Sequence, residues 1–158
     1  MTRNNLQIYS FYRFKRISNK IKLKEKLEKY TNEKNLKGTI LIAEEGINGS
    51  VSGKIADLEK LFIVIKKLLG IRKFSLRKNS TTFLPFNKMK VRLKNEIVSI
   101  GIKDLINKNK KNNYIHPKDW DEFTHKNNVK LLDIRNIYEI KIGSFNFSIN
   151  PNTNSFRE

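Results

Sequence analysis

A chain of 158 residues, 38% of them hydrophobic, can build one ordinary domain or one small domain and part of a second around a modest core. Its longest apolar run, Leu61 to Ile65, is too short for a bilayer, and no apolar segment follows Met1-Thr2-Arg3, so a cytoplasmic chain without membrane contact is expected. Cysteine is absent, which excludes disulfides, thiolate metal ligands and a cysteine nucleophile from these residues.

The net charge is +18, and it is unevenly placed. Residues 1–100 carry 23 basic and 8 acidic side chains, whereas residues 101–158 carry 10 and 7. A uniform compositional bias toward lysine would spread the excess along the chain. Its concentration in the first part points instead to phosphate recognition, which draws affinity from counterion release.

In chain order, the aromatic-rich segment Leu6 to Phe14 reads as a strand, with two of Tyr9, Phe11, Tyr12 and Phe14 on each face. Ser18 or Asn19 caps a helix whose Leu23, Leu27 and Tyr30 share one side, and Glu25 is placed to pair with Lys29. After Gly38, Thr39–Ala43 is a buried strand, Glu44-Glu45-Gly46 a turn, and Ile47–Ser52 the returning strand of a hairpin. Within it, Gly46 and Gly49 are expected to supply positive φ, while Glu45, Gly46 and Asn48 form a candidate functional loop.

Lys54 to Leu69 is the clearest helix, with Leu58, Leu61, Phe62 and Ile65 on its core face and Gly70 as its terminator. Ile71 to Lys78 is a strand candidate. The order strand–helix–strand–strand–helix–strand predicts an α+β, ferredoxin-like split βαβ domain over residues 1–100.

Met89 to Ile100 is expected as a further strand, with Met89, Val91 and Leu93 on one face and Lys88, Lys90, Arg92 and Lys94 on the other. Such a row either protects a sheet edge or faces phosphates. Together with Lys15, Arg16, Arg72, Lys73 and Arg77, these four make the candidate RNA-binding set. Residues 101–113 read as a polar linker, rich in Lys and Asn. Pro117 opens a short helix containing Trp120 and Phe123, and Val129 to Arg135 is expected as a buried strand. An Arg135–Glu139 pair forms if the chain turns helical after that strand. His116 and His125 have no third ligand beside them, so no metal site is expected.

The stretch Asp133-Ile134-Arg135, followed by Glu139 and Gly143, resembles the opening of a rhodanese domain, with Ser144 and Ser148 departing from its usual His and Ala. Ser10-Phe11-Tyr12-Arg13-Phe14, Ala43-Glu44-Glu45-Gly46-Ile47-Asn48-Gly49, Lys88 to Val98 and Tyr114 to Trp120 resemble the tRNA wobble-uridine hydroxylase family. The resemblance runs through nearly the whole chain in order. It implies a ferredoxin- or acylphosphatase-like amino domain joined to an α/β rhodanese-like domain, whose front part would be residues 114–158. It also implies tRNA as partner, molecular oxygen as co-substrate and 5-hydroxyuridine as product, with a catalytic cysteine beyond Phe156-Arg157-Glu158. The expectation is therefore the amino-terminal portion of a tRNA-modifying enzyme, itself without catalysis, or alternatively a non-catalytic RNA-binding module. Asp133, Arg135, Glu139 and Gly143 are expected as framework posts, and 114–158 as less ordered than 1–100. Acylphosphatase activity is not expected, because that enzyme needs a glycine-rich phosphate cradle and Tyr12 to Lys20 contains no glycine.

Overall fold

Aromatic and β-branched residues in alternation make Leu6–Phe14 a strand (β1), and the helical spacing after Asn19 makes Lys20–Glu33 a helix (α1). Asn19 caps α1, its side chain accepting a hydrogen bond from the Lys22 amide at 2.9 Å. Lys37–Ala43 (β2) and Gly46–Lys54 (β3) form the expected hairpin, and Ile55–Leu69 (α2) the second helix. Ser75–Thr81 (β4) and Met89–Leu93 (β5) follow. In the computed structural model the described residues are 6–97 and 115–153, and each stretch belongs to its own compact unit.

Among the described residues, the first unit is a five-stranded sheet of order β4-β1-β3-β2-β5. The first four strands pair antiparallel in the ferredoxin-like arrangement, and β5 adds parallel to β2. Tyr9 and Phe11 of β1, Ile40 and Ile42 of β2, and Ile47 and Val51 of β3 meet Leu23 and Leu27 of α1 and Leu58, Leu61, Phe62 and Ile65 of α2 in one core. Phe62 packs edge-on against Phe11 and Phe74, with ring centres 4.9 and 5.4 Å away. Such pairs contribute about 0.5–1.5 kcal/mol beyond area burial.

Four local expectations are corrected. The fourth strand starts at Ser75 rather than Ile71, because the Ile71 amide closes the end of α2 on the Lys66 carbonyl at 3.0 Å, with Gly70 left-handed at φ 60°. Gly49 is required for closeness rather than for positive φ: a Cβ there would lie 2.4 Å from the Thr39 carbonyl oxygen and 3.0 Å from the Phe11 ring. On α1 the ion pair that forms joins Lys24 and Glu28 at 2.7 Å, one position before the expected Glu25–Lys29 pair. β5 ends at Leu93, itself 41% exposed, because the chain then turns to seat Ile97; residues 98–100 lie outside the described residues, as does the expected linker 101–113.

The second unit holds a 3₁₀ turn at Pro117–Asp119, a helix at Trp120–Thr124 (α3) and another at Ile137–Ile142 (α4). Val129 to Arg135 is not a buried strand. It makes one parallel bridge, Leu132 to Ile149, and leaves Leu132 and Ile134 each 57% exposed. A parallel pairing is stable when strands flank it and helices cover it, and a single bridge has neither.

Candidate nucleic-acid interface

The two helices cover one face of the sheet, and register decides what the other presents. Crossing the strands in one row are Arg77 on β4, Ser10 on β1, Ser50 on β3, Thr39 on β2 and Lys90 on β5. The next row is Ser75, Tyr12, Asn48, Leu41 and Arg92. Ser10 and Ser50 are joined through their hydroxyls at 2.7 Å. Lys37 and Lys54 belong to the same face by alternation.

That face therefore carries Lys37, Lys54, Arg77, Lys90 and Arg92, and no carboxylate among the described strand residues. The acidic residues described in this unit lie elsewhere: Glu25, Glu28 and Glu33 on α1, Asp57 and Glu59 on α2, Glu44 and Glu45 at the hairpin turn, and Glu96 after β5. The described strand residues of this face thus carry charge of one sign, whereas α1 and α2 on the other side mix lysines with carboxylates. A face without carboxylates keeps its positive potential uncompensated.

The nine cations expected to bind RNA do not form a single patch. Arg77, Lys90 and Arg92 lie on the face opposite α1 and α2, with Lys88 entering β5 beside Gly38, whose amide donates to the Lys88 carbonyl at 3.1 Å. Lys15 and Arg16 lie between β1 and α1, and Arg72 and Lys73 between α2 and β4. Because β1 and β4 are antiparallel, these two connections leave the same end of the sheet, where Lys94 also lies. Arg16 is engaged with Glu44 at 3.3 Å in an exposed pair of small energetic worth. Lys78, one residue after Arg77, turns to the helix side, its Nζ 4.9 Å from the Tyr9 ring centre and 3.7 Å from Glu59.

The hairpin loop has partners within the chain. Glu45 accepts a hydrogen bond from the Ile97 amide at 2.7 Å, and Asn48 donates to the Ile97 carbonyl at 3.0 Å. Together they hold both polar groups of one residue, and Ile97, 3% exposed, covers Gly46. The Lys15 and Ile17 amides donate to the Glu45 and Glu44 carbonyls at 2.9 and 2.8 Å. These two amides of the β1–α1 connection are therefore committed to the hairpin rather than directed at an anion.

In the second unit, Arg135 joins the other framework residues. Its Nε donates to Asp133 at 2.9 Å, a guanidinium nitrogen reaches the other carboxylate oxygen, and the same group donates to the Gly143 carbonyl at 2.7 Å. Hydrogen bonding from Arg135 holds the Asp133 carboxyl below its usual range and raises Arg135. Glu139 does not form the expected ion pair with Arg135; it caps α4, accepting from the Asn136 amide at 3.2 Å and side chain at 2.6 Å. Reciprocal capping satisfies otherwise unpaired amides at the helix start and competes with a pairing across the turn.

Among the described residues, no group of three or more His, Asp or Glu could hold a metal, and no helix is long and apolar enough to cross a membrane. Missed in the sequence were Lys37, Ser10, Ser50 and Thr39, whose alignment depends on non-local register. Tyr12 was recoverable from alternation, which puts it opposite Tyr9 and Phe11.

Comparison with known proteins bears on the whole chain. It is 41% identical over 152 residues to the tRNA uridine(34) hydroxylase of Pelagibacter ubique, covering 96% of this chain and 50% of that protein. With the protein of the same name from Rickettsia prowazekii the identity is 44% over 156 residues, covering 97% and 62%. The chain thus spans about half to three-fifths of the length of these curated relatives. Among solved structures, the dark state of the BLUF protein BlrB superposes with a TM-score of 0.50 at 11% identity, covering 63% of this chain and 80% of that one, which speaks to the fold alone. Since the UPF0176 acylphosphatase like domain matches residues 6–97, well over half of its length, the chain belongs to the UPF0176 family.

Proposed function

We propose that this chain is the amino-terminal portion of an oxygen-dependent tRNA uridine hydroxylase that forms 5-hydroxyuridine at the wobble position, and that residues 6–97 supply its tRNA-binding unit. What supports the reading is the similarity to relatives of that name through 96–97% of the chain, joined to a sheet face whose described strand residues include five cations and no carboxylate. Residues 115–153 are the front part of a rhodanese-like domain. In that role Asp133, Arg135 and Gly143 fix the loop after the Leu132 bridge, and Glu139 fixes the start of α4. These 158 residues contain no cysteine, so their contribution is binding and framework rather than thiol chemistry.

Replacing Lys90, Arg92 and Lys94 together by Ala tests the binding half of the reading. Affinity for tRNA should fall, and the slope of log K against log salt should flatten by roughly one unit for each phosphate that is no longer neutralised. Unchanged affinity and slope would remove β5 from the interface.

A further inference from the structure

We propose that the face of the sheet opposite α1 and α2 receives a single-stranded RNA loop, with a base stacked on Tyr12 and phosphates held at the two margins by Arg77 and by Lys90 with Arg92. The inference rests on the tRNA-binding reading above and adds to it a surface and a form of nucleic acid.

Three observations carry it. The first is charge complementarity: the face bears five cations and no carboxylate among its described strand residues. The second is their placement. Arg77 lies on one edge strand and Lys90 and Arg92 on the other, four strand spacings or about 19 Å apart. Along the two rows that join them the described strand residues are uncharged: Ser10, Ser50 and Thr39 in one, and Tyr12, Asn48 (bonded to the Ile97 carbonyl) and Leu41 in the other, with Lys37 and Lys54 in rows beyond.

The third is Tyr12 itself. It is 44% exposed although it sits on a strand between two neighbours, and its ring meets Phe14 edge-on at 6.3 Å. A ring already fixed by a neighbour loses little freedom when a base stacks on it. Bases in a duplex have their faces occupied by neighbouring bases, whereas loop bases can be splayed onto an aromatic side chain, as on the sheet surfaces of other RNA-binding modules. The hydroxyl row offers donors and acceptors to base edges and to the 2′-hydroxyl. A uridine at the wobble position lies in such a loop.

The test uses the full 158-residue chain and two fluorescently labelled RNAs: a stem-loop carrying the wobble position, and a fully paired duplex of the same strand. Anisotropy titrations should show tenfold or more preference for the stem-loop. Tyr12→Ala should weaken stem-loop binding about tenfold and leave duplex binding nearly unchanged, while Tyr12→Phe retains the affinity. Arg77→Ala with Lys90→Ala should flatten the salt slope by about 1.4 units. Tyr12 lies outside the core, and retention of the wild-type amide spectrum separates a binding defect from a folding defect. Equal affinity for duplex and stem-loop, or full stem-loop affinity in folded Tyr12→Ala and Arg77→Ala/Lys90→Ala proteins, would overturn the surface assignment while leaving tRNA binding in place. Failure of the unsubstituted chain to bind either RNA would overturn both readings.

Discussion

Residues 6–97 and residues 115–153 are made of similar material and reach different ends. In the first stretch, apolar residues recur with the period of the element that bears them, and two helices close over one side of a sheet. Leu27, Ile40, Ile42, Ile47, Leu58, Leu61 and Ile65 are wholly buried there. The second stretch has comparable apolar residues but turns them outward: Ile142 and Phe147 are 87% exposed and Tyr138 66%, while Asp133 is its one buried residue among those described. Its order comes from polar contacts, chiefly Arg135 bridging Asp133 and Gly143, and from the Trp120–Phe145 ring contact at 5.2 Å. Apolar content alone does not make a core; it needs neighbours at the right period on both sides.

The contrast can be broken most sharply in the core. Leu61→Ala should cost about 2–5 kcal/mol in urea unfolding, whereas Ile142→Ala should stay within about 0.5 kcal/mol. Equal effects would mean that the second stretch packs as the first does. A smaller effect, about 1–3 kcal/mol, is expected for Gly49→Ala, because its methyl group would press on the Thr39 carbonyl and the Phe11 ring. The same change at Gly143, where a Cβ meets nothing within 4 Å, should have much less effect.

Acid gives the gentlest test. Because Arg135 holds Asp133 below its ordinary value, the ionised pair favours the folded arrangement at and above that value, and the stabilisation is lost as the pH falls through the lowered one. Amide NMR shifts of Arg135 and Gly143 should therefore move below about pH 4, while those of Ile40 and Leu41 hold still. A transition at Arg135 above about pH 5 would contradict the assignment.

What could be read from the sequence follows from how far each determinant reaches. The β2–β3 hairpin and α2 with its Gly70 terminator were legible because their signals lie within a few residues. The start of β4 was not, since Ile71 is apolar enough for a strand yet its amide is consumed by the end of α2. Val129 to Arg135 has the composition of a buried strand, but burial depends on flanking elements that composition does not report. The cation row on β5 was visible as alternation. Its relation to Arg77 was not, because that depends on β5 joining β2 and β4 joining β1, two pairings fixed only in three dimensions.

The two outermost strands have one more consequence. Among the described residues β4 and β5 each pair with a strand on one side only, and both carry basic side chains: Arg77 and Lys78 on one, Lys90 and Arg92 on the other. A copy of this molecule approaching edge to edge meets like charge, so the side chains that give these margins their sign also oppose sheet-to-sheet fibre growth.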